Sequence, residues 1–208
     1  MKPNALIHVV DDDESLRDAL LDLLAAAGFE ARGYASTGDF LLQPVPDRAG
    51  CVLLDVRMPG PSGLDLQAAM QRQGLGLPIV FLTGRGDIAT TVQAMKRGAT
   101  DFLTKPVDDT ELLAAIQEAL ATDQQRRRTQ AQRERMVASL AALTERERQV
   151  LEQVVAGRLN KQIAAELGTV EKTIKFHRAN LMRKMGVRSV ADLVKLAERA
   201  GIGAASGS

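Results

Sequence analysis

Short apolar runs alternate with longer amphipathic stretches over the first 120 residues of the chain. The runs ALIHVV, FEARGYA, CVLLDV, PIVFLT and TDFLTK have the length and composition of buried strands. Between them lie DESLRDALLDLLAAAG, STGDFLLQ, SGLDLQAAMQRQG and GDIATTVQAMKRG, with apolar positions at helical spacing, and DDTELLAAIQEAL follows the last strand. Gly28, Gly74 and Gly98 stand where helix ends are expected. Five successive strand–helix units predict an α/β doubly wound fold, a five-stranded parallel sheet covered on both faces.

The pattern then changes. ATDQQRRRTQAQRERMVAS is polar, helix-favouring and free of Gly and Pro, with too few apolar positions for a heptad seam. It predicts a helical linker over residues 122–139. The remainder reads as an all-α four-helix domain over 140–203, with a tail at 204–208 of disorder-prone composition. Thr144 with Glu147 forms a capping box ahead of the first of these helices. Asn160 is expected to cap the second and Gly168 to stop it; Ser189 is expected to cap the fourth. The third, EKTIKFHRANLMRKMG, follows a residue that cannot cap, Val170, so Thr169 is the expected cap. A short helix, a tight turn and a longer basic helix outline a helix-turn-helix.

Charge divides along the same line. The chain of 208 residues carries a net charge of +1, but residues 1–120 hold 10 Lys/Arg against 17 Asp/Glu, and the rest 17 against 9. A basic C-terminal half fits a polyanionic partner, which the acidic half would not bind alone. No apolar run approaches the roughly 20 residues of a membrane span, and the start MKPNALIHVVDDD turns acidic too soon for a secretory signal. The single cysteine, Cys51, reads as a small buried hydrophobe of a cytoplasmic protein, and with His8 and His177 it gives no zinc spacing.

The third strand raises a chemical question, because its apolar run ends on a carboxylate in VLLDVRMPG. In a doubly wound sheet ligands sit outside the carboxyl ends of the strands. There the first strand places Asp11, Asp12 and Asp13, the third Asp55, the fourth Thr83 and the fifth Lys105. Each alone has an ordinary reading as a cap, a turn or a surface loop. Together they form an acidic rim that repels itself unless a hard cation joins it. Oxygen-only ligands with open positions suit Mg²⁺, which keeps its waters and recruits a phosphate. Lysine and threonine would meet the other phosphate oxygens, and a carboxylate there can become an acyl phosphate.

VVDDDESLR, LLDVRMPGPSG, FLTGRGD and DFLTKP resemble the signatures of the response-regulator receiver domain of bacterial two-component systems, over about residues 4–121. The resemblance implies a flavodoxin-like fold over residues 1–121, with Asp55 as the phospho-acceptor supplied by a sensor histidine kinase. It implies Mg²⁺ held by Asp12, Asp55 and the backbone carbonyl of Arg57, with Asp11 acting mainly through water. Lys105 would pair with the phosphoryl group, and the Lys105–Pro106 bond would be cis. Thr83 would move toward it, and Phe102, where many relatives carry Tyr, would turn inward.

In the basic domain, with Ile174 at the centre of one helix face, His177, Leu181 and Met185 fall close to it at about 100° per residue. The opposite face carries Lys172, Lys175, Phe176, Ala179 and Arg183. Cations there suit phosphates and guanine edges, while Phe176 and Ala179 suit thymine methyls. LTERERQVLEQVVAG, NKQIAAELG and TIKFHRANLMRKMGVRSVADLV resemble the LuxR-type DNA-binding domain. By that resemblance Lys175, Phe176 and Ala179 read bases, and Asn160, Lys161, Lys172, Thr173 and Arg183 contact the DNA backbone.

Receiver and LuxR-type domain together resemble the NarL/FixJ family, in its FixJ-like branch. This implies a transcription regulator of double-stranded promoter DNA that is not an enzyme beyond its own phosphorylation and dephosphorylation. It implies a homodimer formed on phosphorylation through a surface including Val92 and Lys96, with RNA polymerase as a further partner. Two alternatives compete. VVDDDES also fits a haloacid-dehalogenase-type phosphatase with Asp11 as nucleophile, though GDIATT does not supply that family's later acidic motif. The receiver could instead serve a DNA-binding regulator independently of phosphorylation.

Overall fold

The structure, a computed structural model, describes residues 5–84, 92 and 94–199. The chain divides into two compact units, Met1–Arg128 and Thr129–Ser208. In the first, strands β1 (Leu6–Val10), β2 (Glu30–Tyr34), β3 (Gly50–Asp55), β4 (Ile79–Thr83) and β5 (Asp101–Thr104) form one sheet in the order β2-β1-β3-β4-β5. Every pairing is parallel. The helices between them are α1 (Glu14–Ala26), α2 (Thr37–Leu42) and α3 (Gly63–Arg72), and α4 (Asp109–Ala141) follows β5. Of the helix expected over residues 86–98, residues 92 and 94–96 are helical; residues 85–91 and 93 lie outside the described residues.

Alternation along the strands sorts side chains onto two cores. Ile7, Val9, Leu53 and Val80 pack with Leu20, Leu24, Leu112 and Ile116 on one face. Val10, Val52, Leu54 and Phe81 pack with Tyr34, Phe40 and Met70 on the other. Burial at every position of β1 and β3 is why both are largely apolar rather than alternating. The polar member of β1, His8, is buried with Nδ1 2.9 Å from the Tyr34 hydroxyl. Burial, with the charges of Arg32 and Arg48, pulls its pKa down to about 4, so it stays neutral near pH 7. Edge strand β2 is mostly exposed and carries Arg32, which blunts edge-to-edge pairing.

The turn after β3 depends on two glycines. Gly60 has φ of +82°, a left-handed conformation open to glycine. Gly63 begins α3 so close to the sheet that a Cβ there would lie 2.2 Å from the Asp55 carbonyl oxygen. Its N–H donates to the Val56 carbonyl at 3.1 Å, and Ser62 with Asp65 closes a capping box over the same helix start.

Residues 121–139 lie within α4, a helix of 33 residues, and the boundary at Arg128 between the two units falls within its range. At Asp123 the helix is fastened to the sheet. This fully buried carboxylate accepts the Gly50 N–H at 3.1 Å, Nη2 of Arg126 at 2.6 Å and Nε of Arg127 at 2.8 Å. Arg127 continues to Asp47 and the Arg48 carbonyl at 2.6 and 2.5 Å.

The second unit packs α5 (Glu145–Val155), α6 (Asn160–Glu166), α7 (Glu171–Met185) and α8 (Val190–Arg199) around Val150, Leu151, Ile163, Ile174, Leu181 and Leu193. The Thr144–Glu147 capping box is present, and Glu147 also accepts from Lys184 at 2.7 Å. Ser189 caps α8 by accepting the Asp192 N–H. Two expected caps are corrected. Asn160 is the first residue of α6 rather than its cap. Leu159 stands at the cap, with its N–H donated to the Gln162 side chain at 2.9 Å, because Asn160 Oδ1 is taken by Arg178 at 2.5 Å. Thr169 does not cap α7; the cap position is Val170, without a side-chain bond. Thr169 closes the preceding helix instead, donating its N–H to the Ala164 carbonyl beyond the left-handed Gly168, the hydrogen bond of a Schellman ending. The tail at 204–208 lies outside the described residues.

Candidate metal site and nucleic-acid interface

The order of the sheet reverses between β1 and β3, and at their carboxyl ends Asp11, Asp12 and Asp55 offer oxygens all within 4.8 Å of one another. Asp13 does a different task, capping α1 by accepting the Leu16 N–H at 3.1 Å. Asp11 is fully buried, and its Oδ1 accepts the Asp13 N–H at 3.0 Å. Asp55 Oδ1 accepts the Arg57 N–H at 3.1 Å. Lys105 bridges the two acids, its Nζ lying 2.7 Å from Asp11 Oδ2 and 2.9 Å from Asp55 Oδ2.

Burial raises the Asp11 carboxyl above the usual carboxylate range, although Lys105 opposes the shift. For Lys105 burial acts downward, but the hydrogen bonds to Asp11 and Asp55 outweigh it and raise the ammonium above its ordinary value. Among the described residues the Lys105 ammonium meets two of the three carboxyl groups, so acid remains in surplus there. An all-oxygen cluster with Asp12 exposed to solvent is the donor set a hard divalent cation takes, leaving positions for water or phosphate.

β4 and β5 complete the rim. Thr83 is buried at the end of β4, its Oγ1 3.3 Å from the Gly84 carbonyl. The Lys105 N–H donates to the Thr83 carbonyl at 2.7 Å, and Lys105–Pro106 is cis. Phe102 lies on β5 and is 38% exposed. Val92, Met95 and Lys96 are exposed as well.

In the second unit α7 turns Ile174, Leu181 and Met185 into the core and leaves Lys172, Lys175, Phe176, Ala179 and Arg183 exposed. Phe176 is 63% exposed, with its ring edge-on to that of His177 at a centroid distance of 5.8 Å. Lys161 on α6 is exposed and Thr173 is half-buried. Asn160, grouped with the DNA-backbone contacts from sequence, is held by Arg178. Sequence reasoning missed the exposed apolar caps Leu159 and Val170, whose positions follow from the helix starts just described.

Residues 7–117 match the response regulator receiver domain, and residues 141–197 match the bacterial regulatory proteins of the luxR family. Nodulation protein W of Bradyrhizobium diazoefficiens is 46% identical, over 96% of this chain and 88% of that protein. Transcriptional regulatory protein FixJ of Azorhizobium caulinodans is 41% identical, over 94% and 93%. The solved structure of response regulator StyR superposes with a TM-score of 0.87 at 45% identity, covering 94% of this chain and 99% of that one.

A receiver fold with its acidic rim, followed by a LuxR-type helix-turn-helix, defines a two-component response regulator that controls transcription. The chain belongs to the NarL/FixJ family of these regulators. The phosphatase alternative finds no support, since the matched families are a receiver domain and a luxR-type domain. Among the described residues no helix is long and apolar enough to cross a membrane.

Proposed function

We propose that Asp55 accepts a phosphoryl group from the phosphohistidine of a sensor kinase and that this switches the chain as a transcription regulator. The observation that carries the reading is the Lys105 bridge between Asp55 and Asp11, set within a cluster of three carboxylates. A carboxylate oxygen of Asp55 forms the new O–P bond, the N–P bond of the donor breaks, and the freed imidazole retains the electron pair. Asp11, Asp12, Asp55 and the Arg57 carbonyl would hold Mg²⁺, whose charge offsets that of the incoming phosphoryl group. Lys105 then exchanges a carboxylate oxygen of Asp55 for a phosphoryl oxygen, and Thr83 donates to another. The exposed Phe102 turns inward into the space Thr83 leaves, and Phe cannot hydrogen-bond, so packing alone drives that step.

The surface around Val92, Lys96 and Phe102 then pairs two receivers, which brings two basic domains to adjacent half-sites of promoter DNA in the cytoplasm, within reach of RNA polymerase. Lys175, Phe176 and Ala179 meet base edges, while Lys161, Lys172, Thr173 and Arg183 meet phosphates, with Asn160 beside them. The chain performs no chemistry beyond its own phosphorylation and dephosphorylation. Light scattering with Mg²⁺, before and after beryllofluoride as an acyl-phosphate mimic, tests the switch. The molar mass should double in the wild type and stay constant in Asp55→Asn. An unchanged wild-type mass, with beryllofluoride binding verified by fluorine NMR, would refute switching by dimerisation.

A further inference from the structure

Two half-buried cations of α7 are handled differently. Lys184 meets a carboxylate, with Nζ 2.7 Å from Glu147 Oε2. Arg178 meets none among the described residues. Its Nη1 donates at 2.5 Å to Oδ1 of Asn160, the first residue of α6, and both side chains keep part of their surface in solvent. A neutral amide satisfies one N–H of the guanidinium and leaves its charge unanswered. The bond also settles which way the amide faces. A guanidinium only donates, so Asn160 must turn its oxygen to Arg178, and its NH₂ group is left for another acceptor.

We infer that Arg178 is a DNA-backbone contact that grips one phosphate together with Asn160 and sets the direction of the Asn160 amide. The inference rests on the reading that the exposed face of α7 meets DNA. Joined by their hydrogen bond, the two side chains offer several N–H donors and a full positive charge, and their single acceptor atom is engaged. The planar fork of a guanidinium matches phosphate oxygens, and it stays charged at any working pH. Placement decides for phosphate over a base edge. At about 100° per residue Arg178 lies about 40° from the core-facing Ile174 and about 60° from Lys175, on the flank of α7 rather than at the centre of its exposed face. From that flank it reaches the start of α6, where the exposed Lys161 follows Asn160. The centre of a helix lying in the major groove meets base edges, and the groove walls beside it are phosphates.

The test is fluorescence anisotropy of the full chain on a duplex that it selects from a random pool, with each phosphate in turn replaced by an uncharged methylphosphonate. One replacement should weaken the wild type about tenfold and leave Arg178→Gln nearly unaffected. Gln can still donate to Asn160 but carries no charge, so this variant keeps the tie between α6 and α7 and loses the grip. On the unmodified duplex it should bind about tenfold more weakly than the wild type, with a slope of log K against log salt shallower by about 1 for each half-site. Asn160→Ala should lower the penalty at the same phosphate and at no other. Wild-type affinity and salt slope in Arg178→Gln would make Arg178 a structural tie and overturn the proposal. So would a methylphosphonate profile that Arg178→Gln leaves unchanged. Lys175→Ala separates the two readings: it should weaken binding whatever Arg178 does, and wild-type affinity in that variant would defeat the DNA-facing reading of α7 itself.

Discussion

The two units handle their functional polar groups in opposite ways. In the receiver, Asp11, Asp55 and Thr83 are buried and brought together at strand ends, with Lys105 pinned between two acids. In the helical unit Lys172, Lys175 and Arg183 project into solvent from one helix face, and Lys175 has an exposed ion pair with Glu171 at 3.3 Å. Covalent chemistry needs a fixed geometry in which a carboxylate is stripped of water and aimed. Holding a polyanion needs cations that remain free to meet a larger surface. The first unit therefore concentrates its electrostatic cost inside the fold, and the second spends almost none until its partner arrives.

The contrast breaks most sharply at Asp55. Asp55→Asn should abolish phosphoryl uptake from acetyl phosphate, followed by intact-mass spectrometry, and leave the melting profile of the helical unit in place. A variant that labels like the wild type would defeat the assignment. Next in size, replacing Lys175 and Arg183 together by Ala should weaken promoter binding about a hundredfold in fluorescence anisotropy. It should also make the slope of log K against log salt shallower by about 1 to 2, with phosphorylation unchanged. Loss of uptake in that double variant would merge what the structure separates.

Smaller effects sharpen the comparison from within the receiver. Gly63→Ala places a methyl 2.2 Å from the Asp55 carbonyl, so the end of β3 must shift. Denaturant unfolding should register a loss of about 1–3 kcal/mol in the receiver, with slower phosphorylation and unaltered DNA affinity in the unphosphorylated chain. His8 offers a pH test. Its pKa falls from 6.5 to about 4 on folding, so above about pH 6.5 both states are neutral and full stability is present. As pH drops toward 4 the unfolded chain takes up a proton that the folded one refuses. Receiver stability should decline by about 3 kcal/mol across that window, seen as a steeper wild-type profile than that of His8→Asn in pH-resolved melts.

These features were unequally legible in the chain. The βα alternation was plain because burial on both faces makes a strand continuously apolar, and Asp55 stood out by interrupting such a run. Gly28, Gly74 and Gly98 marked helix ends, each with positive φ. The start of α6 lies one residue earlier than the local sequence suggests, because Asn160 looks like a cap until Arg178, 18 residues later, takes its side-chain oxygen. The Lys184–Glu147 pair joins residues 37 apart and carries no local pattern. Asp123 was hidden more thoroughly. With Arg126 and Arg127 three and four residues on, it resembles a solvated helical ion pair, and only the arrival of Gly50, 73 residues earlier, marks it as buried.

That anchored carboxylate decides where evolution or an engineer can recombine this protein. A crossover at residue 121 would graft a foreign output module while discarding Asp123, stranding the Gly50 N–H at the first residue of β3 and freeing the Asp47 loop from Arg127. A crossover immediately after Arg128 keeps both halves of the fastening on the same parent. Hybrid regulators spliced at the later seam inherit an intact receiver; those spliced at the earlier one carry an unfastened start to the central strand of the sheet.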